Sequence, residues 1–96
     1  MIKGTTSAGF EFSFDETRLD DMRFVDVLAV VVDPDAKEFD RIAGASKLTE
    51  MLLGKELKAK LYQFIGEKHD GRVPRAELEQ ALNEIMAGGG KDAEKN

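Results

Sequence analysis

The chain has 96 residues, 42% hydrophobic and 34% charged, with a net charge of −5 and no cysteine. That is room for one domain with a modest core held by packing, without disulfides or thiolate metal sites. The acidic balance excludes the basic face of a nucleic-acid binder, and the longest apolar run, Val27 to Val32, is far too short to cross a membrane.

Residues 1–14 read as β structure. Phe10, Phe12 and Phe14 alternate with Glu11 and Ser13, which puts three aromatics on one face of a strand. The run Ile2 to Thr6 can pair with it across Ser7-Ala8-Gly9, a short loop carrying glycine. A lone hairpin is barely stable in water, so the phenylalanine face must cover something. It packs on helices of its own chain, or it adds as an edge to the sheet of another chain.

Thr17 and Asp20 have the spacing of a helix-starting box, and Asp15, Glu16, Asp20 and Asp21 suit the positive end of a helix dipole. A first helix is expected from there to about Val31. Leu19, Met22, Val25, Leu28 and Val32 form one apolar stripe on it; Phe24, Val27 and Val31 form a second. The five valines between positions 25 and 32 would also suit a strand. A helix apolar nearly all round must be buried in the core or against a partner, and a chain this short has few neighbours to offer.

Asp33-Pro34 marks a boundary, an N-cap residue followed by one favoured at the first helical position. The second helix is expected over 36–53, with Phe39, Ile42, Ala43, Leu48, Met51 and Leu52 on its apolar side. Gly44 weakens its middle by about 1 kcal/mol relative to alanine, and Ser46 can cap a fresh start there. Gly54 is a left-handed stop. A third helix over 55–66 turns Leu57, Leu61, Phe64 and Ile65 inward. A fourth runs from near Pro74 to Met86 or Ala87, with Leu78, Ala81, Leu82, Ile85 and Met86 inward. Residues 88–96 hold no apolar side chain larger than alanine and are expected to be a disordered tail. The fold class is therefore mainly α: a single small helical domain over 1–87, of about four helices, with an N-terminal β-strand or short β-hairpin.

Glu67 to Glu77 looks like the second half of a calcium-binding helix–loop–helix. Setting Gly71 at the sixth loop position puts Asp70 fifth, Val73 eighth and Glu77 twelfth, as that loop requires. It also puts Gly66 first and Lys68 third, so two carboxylate ligands are missing and one is replaced by a cation. The same residues make a good corner: Asp70-Gly71 turns, Val73 tucks into the core, Pro74 begins a helix and Glu77 sits in its first turn. No metal or other cofactor is expected. Catalysis has little to stand on either. The single histidine, His69, lies in that turn, and Ser7, Ser13 and Ser46 have no motif around them. Gly88-Gly-Gly90 before Lys91 has no strand before it and no helix after it, which removes a phosphate-loop reading.

The order of Phe10-Glu-Phe-Ser-Phe14, Leu19-Asp-Asp21, Leu52-Leu-Gly54-Lys-Glu56, Leu61-Tyr62 and Asp70-Gly-Arg-Val-Pro74 resembles the small tail assembly chaperones of long-tailed bacteriophages and prophages. The resemblance spans about residues 9–87; the valines ending the first helix and Gly44 depart from its pattern. It implies a protein of the bacterial cytoplasm, without catalytic residues, that binds the long helical tape measure protein, keeps it soluble and helps tail tube subunits polymerise around it. It also implies a longer form of the same chain made by ribosomal frameshifting, and Gly89-Gly90-Lys91 could be encoded by a slippery run. Many copies on one client would supply avidity, so homo-oligomers are expected. Phe10, Phe12 and Phe14 on the strand, and Phe24, Val27 and Val31 on the first helix, are the candidate contact residues. The alternative is a helical protein-interaction adaptor with a degenerate EF-hand-like turn and no role in tails. Met1-Ile-Lys-Gly4 is not followed by the apolar core of a signal peptide, in keeping with a cytosolic location.

Overall fold

The computed structural model describes residues 1–88. In chain order it contains β1 (Ile2–Thr5), β2 (Glu11–Phe14), a short 3-10 helix (Glu16–Asp20), α1 (Met22–Val32), α2 (Glu38–Gly66) and α3 (Arg75–Met86). The helix α2 is interrupted at Gly54, which divides it into residues 38–53 and 55–66. The mainly helical architecture with an N-terminal hairpin is the one the sequence pattern predicts.

β1 pairs antiparallel with β2, placing Ile2 opposite Phe14 and Gly4 opposite Phe12. Thr6 N–H donates to the Phe10 carbonyl at 2.9 Å and Gly9 N–H to the Thr6 carbonyl at 2.9 Å, closing the loop at Ser7–Gly9. Gly9 has φ 107° there, a conformation glycine adopts at little cost. Strand alternation sends Phe10, Phe12 and Phe14 to one face, and all three are buried. The Phe10 ring meets Phe64 of α2 at a centroid distance of 5.5 Å. The phenylalanine face thus covers the chain's own helices. At the hairpin tip, Ser7 donates through its backbone N–H (2.5 Å) and its hydroxyl (2.8 Å) to the Glu84 carboxylate of α3. Lys68 Nζ, 4.3 Å from the centre of the Phe64 ring, donates to the Ala8 carbonyl at 3.1 Å.

The expected helix from Thr17 to Val31 is in fact two pieces. Asp15, rather than Thr17, caps the 3-10 helix by accepting from Thr17 N–H at 3.0 Å, and Asp21 caps α1 by accepting from Arg23 N–H at 2.9 Å. An aspartate that binds the N–H two residues on competes with helix continuation. Two such aspartates leave Asp21 extended, at φ −120° and ψ 122°. The break lets Arg18 reach α2. Gly54 has φ 85° and ψ 165°, backbone open essentially to glycine alone, and it strands the last carbonyls of residues 38–53. Arg18 Nη1 donates to the Leu52 carbonyl at 2.8 Å, where a cation also complements the helix dipole.

Asp33-Pro34 does not open α2. The Asp33 carboxylate accepts from Asp35 N–H at 2.9 Å in a turn, and the helix starts at Glu38. Ser46 does not restart the helix, which is continuous through Gly44. A Cβ added to Gly44 would lie 2.8 Å from Val31 Cγ2 and 3.7 Å from Val27 Cγ1, so this glycine is where α1 and α2 touch. The Asp70-Gly71 corner follows the sequence expectation. Asp70 takes φ 57° and Gly71 φ 86°, and Gly71 N–H donates to the Gly66 carbonyl at 2.8 Å. Val73 packs half-buried on the core, Pro74 caps α3 and Glu77 lies in its first turn. The core is a single cluster centred on Leu48, Leu52, Leu61 and Ile85, with the buried Thr49 hydroxyl donating to the Ala45 carbonyl at 2.8 Å. The sequence expectations for residues 89–96 lie outside the described residues, within which no helix is long and apolar enough to cross a membrane.

Glycine-to-alanine changes inside helices ordinarily stabilise by up to about 1 kcal/mol. At Gly44 the new methyl group meets a stiff valine, and overpacking outweighs propensity: Gly44→Ala is expected to destabilise by about 1 kcal/mol net in urea unfolding. The penalty shrinks in the presence of Val31→Ala, a coupling that a double-mutant cycle measures.

Candidate functional site

The chemistry of α1 is mostly apolar, with Arg23 and Asp26 its charged residues. Contact with Gly44 turns Val27 and Val31 towards α2, and Phe24 is buried beside them. The opposite side therefore faces solvent. It carries Met22, Val25, Ala29 and Val32, spaced so that they form one continuous stripe along the helix. Met22 is 66% exposed and Val32 65%; Val30, on the flank, is also exposed. Phe39, in the first turn of α2, is 84% exposed. An isolated exposed apolar residue is ordinary, but a row of them on one helix face is a candidate interaction surface.

Beside the stripe is an open groove of 380 Å³ between α1 and α2, lined by Asp26, Val27, Val30, Asp40, Ala43 and Gly44. Gly44 is part of the lining, and the place of its absent side chain is taken by Val31 Cγ2, which draws the two helices together beneath the groove. Asp26 and Asp40 are exposed and have no ion-pair partner among the described residues. A second groove of 560 Å³ contains Val31, Val32, Ile42, Arg41, Glu38 and Arg75. Arg75 there pairs with Glu38 at 2.9 Å and Arg41 Nε donates to the Val31 carbonyl at 3.4 Å, while Glu79, also in the lining, has no ion-pair partner among the described residues. Acid dominates the surrounding sequence, with nine Asp or Glu residues between positions 15 and 40 against Arg18, Arg23 and Lys37.

The contact residues expected from sequence are redistributed. Phe10, Phe12, Phe14 and Phe24 are core residues and present no contact surface in the folded chain. A phenylalanine removes more apolar area from water than a valine, so a small core takes the aromatics first. Val27 and Val31 are half-buried at the helix crossing, and Val27 also reaches the groove. The exposed residues are instead Met22, Val25, Val30, Val32 and Phe39. Gly44 is the sequence signal for this choice, because a glycine inside a helix marks the face where a neighbour comes close.

The polar clusters have structural roles. In the EF-hand-like corner, the Gly66 carbonyl already accepts from His69 N–H (3.0 Å) and Gly71 N–H (2.8 Å), while His69 Nε2 lies 3.4 Å from Glu77 Oε1. Among the described residues, no group of three or more His, Cys, Asp or Glu converges on a point that could hold a metal ion. Lys58 Nζ donates to Ser46 Oγ at 3.0 Å and lies 3.6 Å from Glu50 Oε1 and 5.4 Å from the centre of the Tyr62 ring. A serine beside a lysine is a nucleophile–base pairing in some hydrolases. Here Ser46 is inside a helix whose backbone N–H groups are committed to the helix, so none can stabilise an oxyanion at its hydroxyl. No known protein family, curated protein or solved structure matches this chain.

The backbone N–H of Ser7, and then its hydroxyl, hold the Glu84 carboxyl below its usual value of 4.5. A carboxylate with a lowered folded-state pKa contributes stability that is present above pH 4.5 and is lost as pH falls through that lower value. Comparing the thermal stability of the parent chain and Glu84→Ala from about pH 7 to about pH 3 is expected to give a gap that is constant near neutrality and closes in acid. A gap independent of pH means that this clamp does not depend on the ionised carboxylate.

Proposed function

We propose that the chain is a tail assembly chaperone of a long-tailed bacteriophage or prophage that binds the tape measure protein, keeps it soluble and promotes assembly of the tail tube around it. The observation that carries this reading is the unpartnered apolar face of α1, held on a small acidic domain. A long helical client needs its apolar stripe covered before the tube encloses it, and a helix face of Met and Val covers it without chemistry. The acidic remainder keeps the complex soluble. The order of motifs from Phe10 to Pro74, which resembles that of the small tail assembly chaperones, supports the family reading. Each face is small, so function requires many copies along one client, with the major tail tube protein and a longer frameshifted form of the chain as further partners in the bacterial cytoplasm.

Co-expression with the tape measure protein tests the reading. The tape measure gene is expected directly downstream, and the major tail protein gene upstream. With the parent chain the client is soluble; with Val25→Asp combined with Val32→Asp, it falls to the level seen without chaperone. Both positions are exposed, so circular dichroism and the melting temperature are expected to stay close to the parent values. A client that remains equally soluble with this variant removes the assignment. A calcium titration of the chain is expected to show no heat and no spectral change; saturable binding would favour a metal-responsive protein instead.

A further inference from the structure

We infer that the groove between α1 and α2 receives a lysine or arginine side chain from an amphipathic partner helix laid along the outer face of α1. This rests on the chaperone reading and names the chemistry of the client segment that would dock.

The groove has two kinds of lining. Val27, Val30, Ala43 and the bare backbone of Gly44 form an apolar trough, and Asp26 and Asp40 bring one carboxylate from each helix. An aliphatic stem ending in a cation matches both, with methylenes on the valines and the charged head at the carboxylates. A neutral apolar side chain would leave those carboxylates against apolar surface with nothing to offset their lost hydration. In the larger groove Arg41 and Arg75 share the lining with Glu38 and Glu79, and Glu38 is already paired with Arg75, so a further cation gains less there. The neighbouring stripe of Met22, Val25, Ala29 and Val32 is straight and continuous, suited to the apolar ridge of another helix. The occupant is therefore a helix with an apolar row and a cation flanking it.

A second copy of this chain fits less well. Arg23 is the one cation on α1, and stripe-to-stripe pairing would bring the Asp26 carboxylates of both copies into one interface.

The test uses the full chain and two fluorescein-labelled helical peptides of about five turns, identical in their leucine row but flanked by arginine in one and glutamate in the other. Fluorescence anisotropy is expected to show the arginine peptide binding about tenfold more tightly, with the margin shrinking in high salt. Asp26→Lys combined with Asp40→Lys is expected to invert the preference while circular dichroism stays unchanged. Equal binding of the two peptides, binding of neither, or a preference that survives the charge reversal overturns the inference. So does a concentration-dependent dimer of the parent chain that the charge reversal abolishes, because the groove would then belong to a second copy. If co-expressed tape measure protein stays soluble with the Lys variant but not with Val25→Asp/Val32→Asp, the groove inference falls and the chaperone reading stands. If neither variant affects the client, both fall.

Discussion

The close approach of α1 and α2 at Gly44 is the constraint on which the rest of the structure depends. One missing side chain lets Val31 and Val27 come within touching distance of the α2 backbone. That contact fixes which side of α1 goes inward. Phe24, Val27 and Val31 join the core side together with Leu19 and Leu28 of the other stripe, so Met22, Val25 and Val32 are turned out in line with Ala29. Beside that contact runs the trough whose lining includes Asp26 and Asp40. A loss in helix propensity thereby becomes a surface with a shape, and the candidate binding face is a direct consequence of how the core packs.

A core this small is supplemented by polar ties placed where the chain breaks. Gly54 ends one helical rod, and Arg18 serves the Leu52 carbonyl left over. The hairpin lies over the helices by its phenylalanines and is held at its tip by Ser7 on Glu84 and by Ala8 on Lys68. These bonds join residues far apart in sequence, and each satisfies a backbone group that regular structure leaves open. Hydrogen bonds of this kind contribute modestly one at a time. Their larger effect is to select one arrangement of elements whose apolar faces could otherwise slide.

Much of this was legible in the residues. Alternation of Phe10, Phe12 and Phe14 gives the strand, Gly54 the interruption, and Asp70-Gly71 followed by Pro74 the corner and the last helix. Local rules acting on single residues decide those features. The boundaries that differed involve competition between equivalent residues. Asp15, Thr17, Asp20 and Asp21 all offer caps within one short stretch, and only the tertiary position of Arg18 separates the productive pair from the rest. Pro34 permits a helix start, yet Asp33 closes a turn on Asp35 first. The candidate contact residues were the least legible part. Periodicity locates two stripes on α1 with equal clarity, and the ranking between them lies in α2, at a glycine that reads as a weakness when taken alone.

The clamp between Ser7 and Glu84 has a consequence for how the chain is made. Synthesis runs from the N-terminus, so the hairpin leaves the ribosome first, while the carboxylate that holds its tip is added 77 residues after Ser7. Until α3 has emerged, Phe10 lacks the part of its surroundings that Ala81 and Glu84 supply. During that interval the nascent chain presents a side of Phe10 that the finished protein conceals.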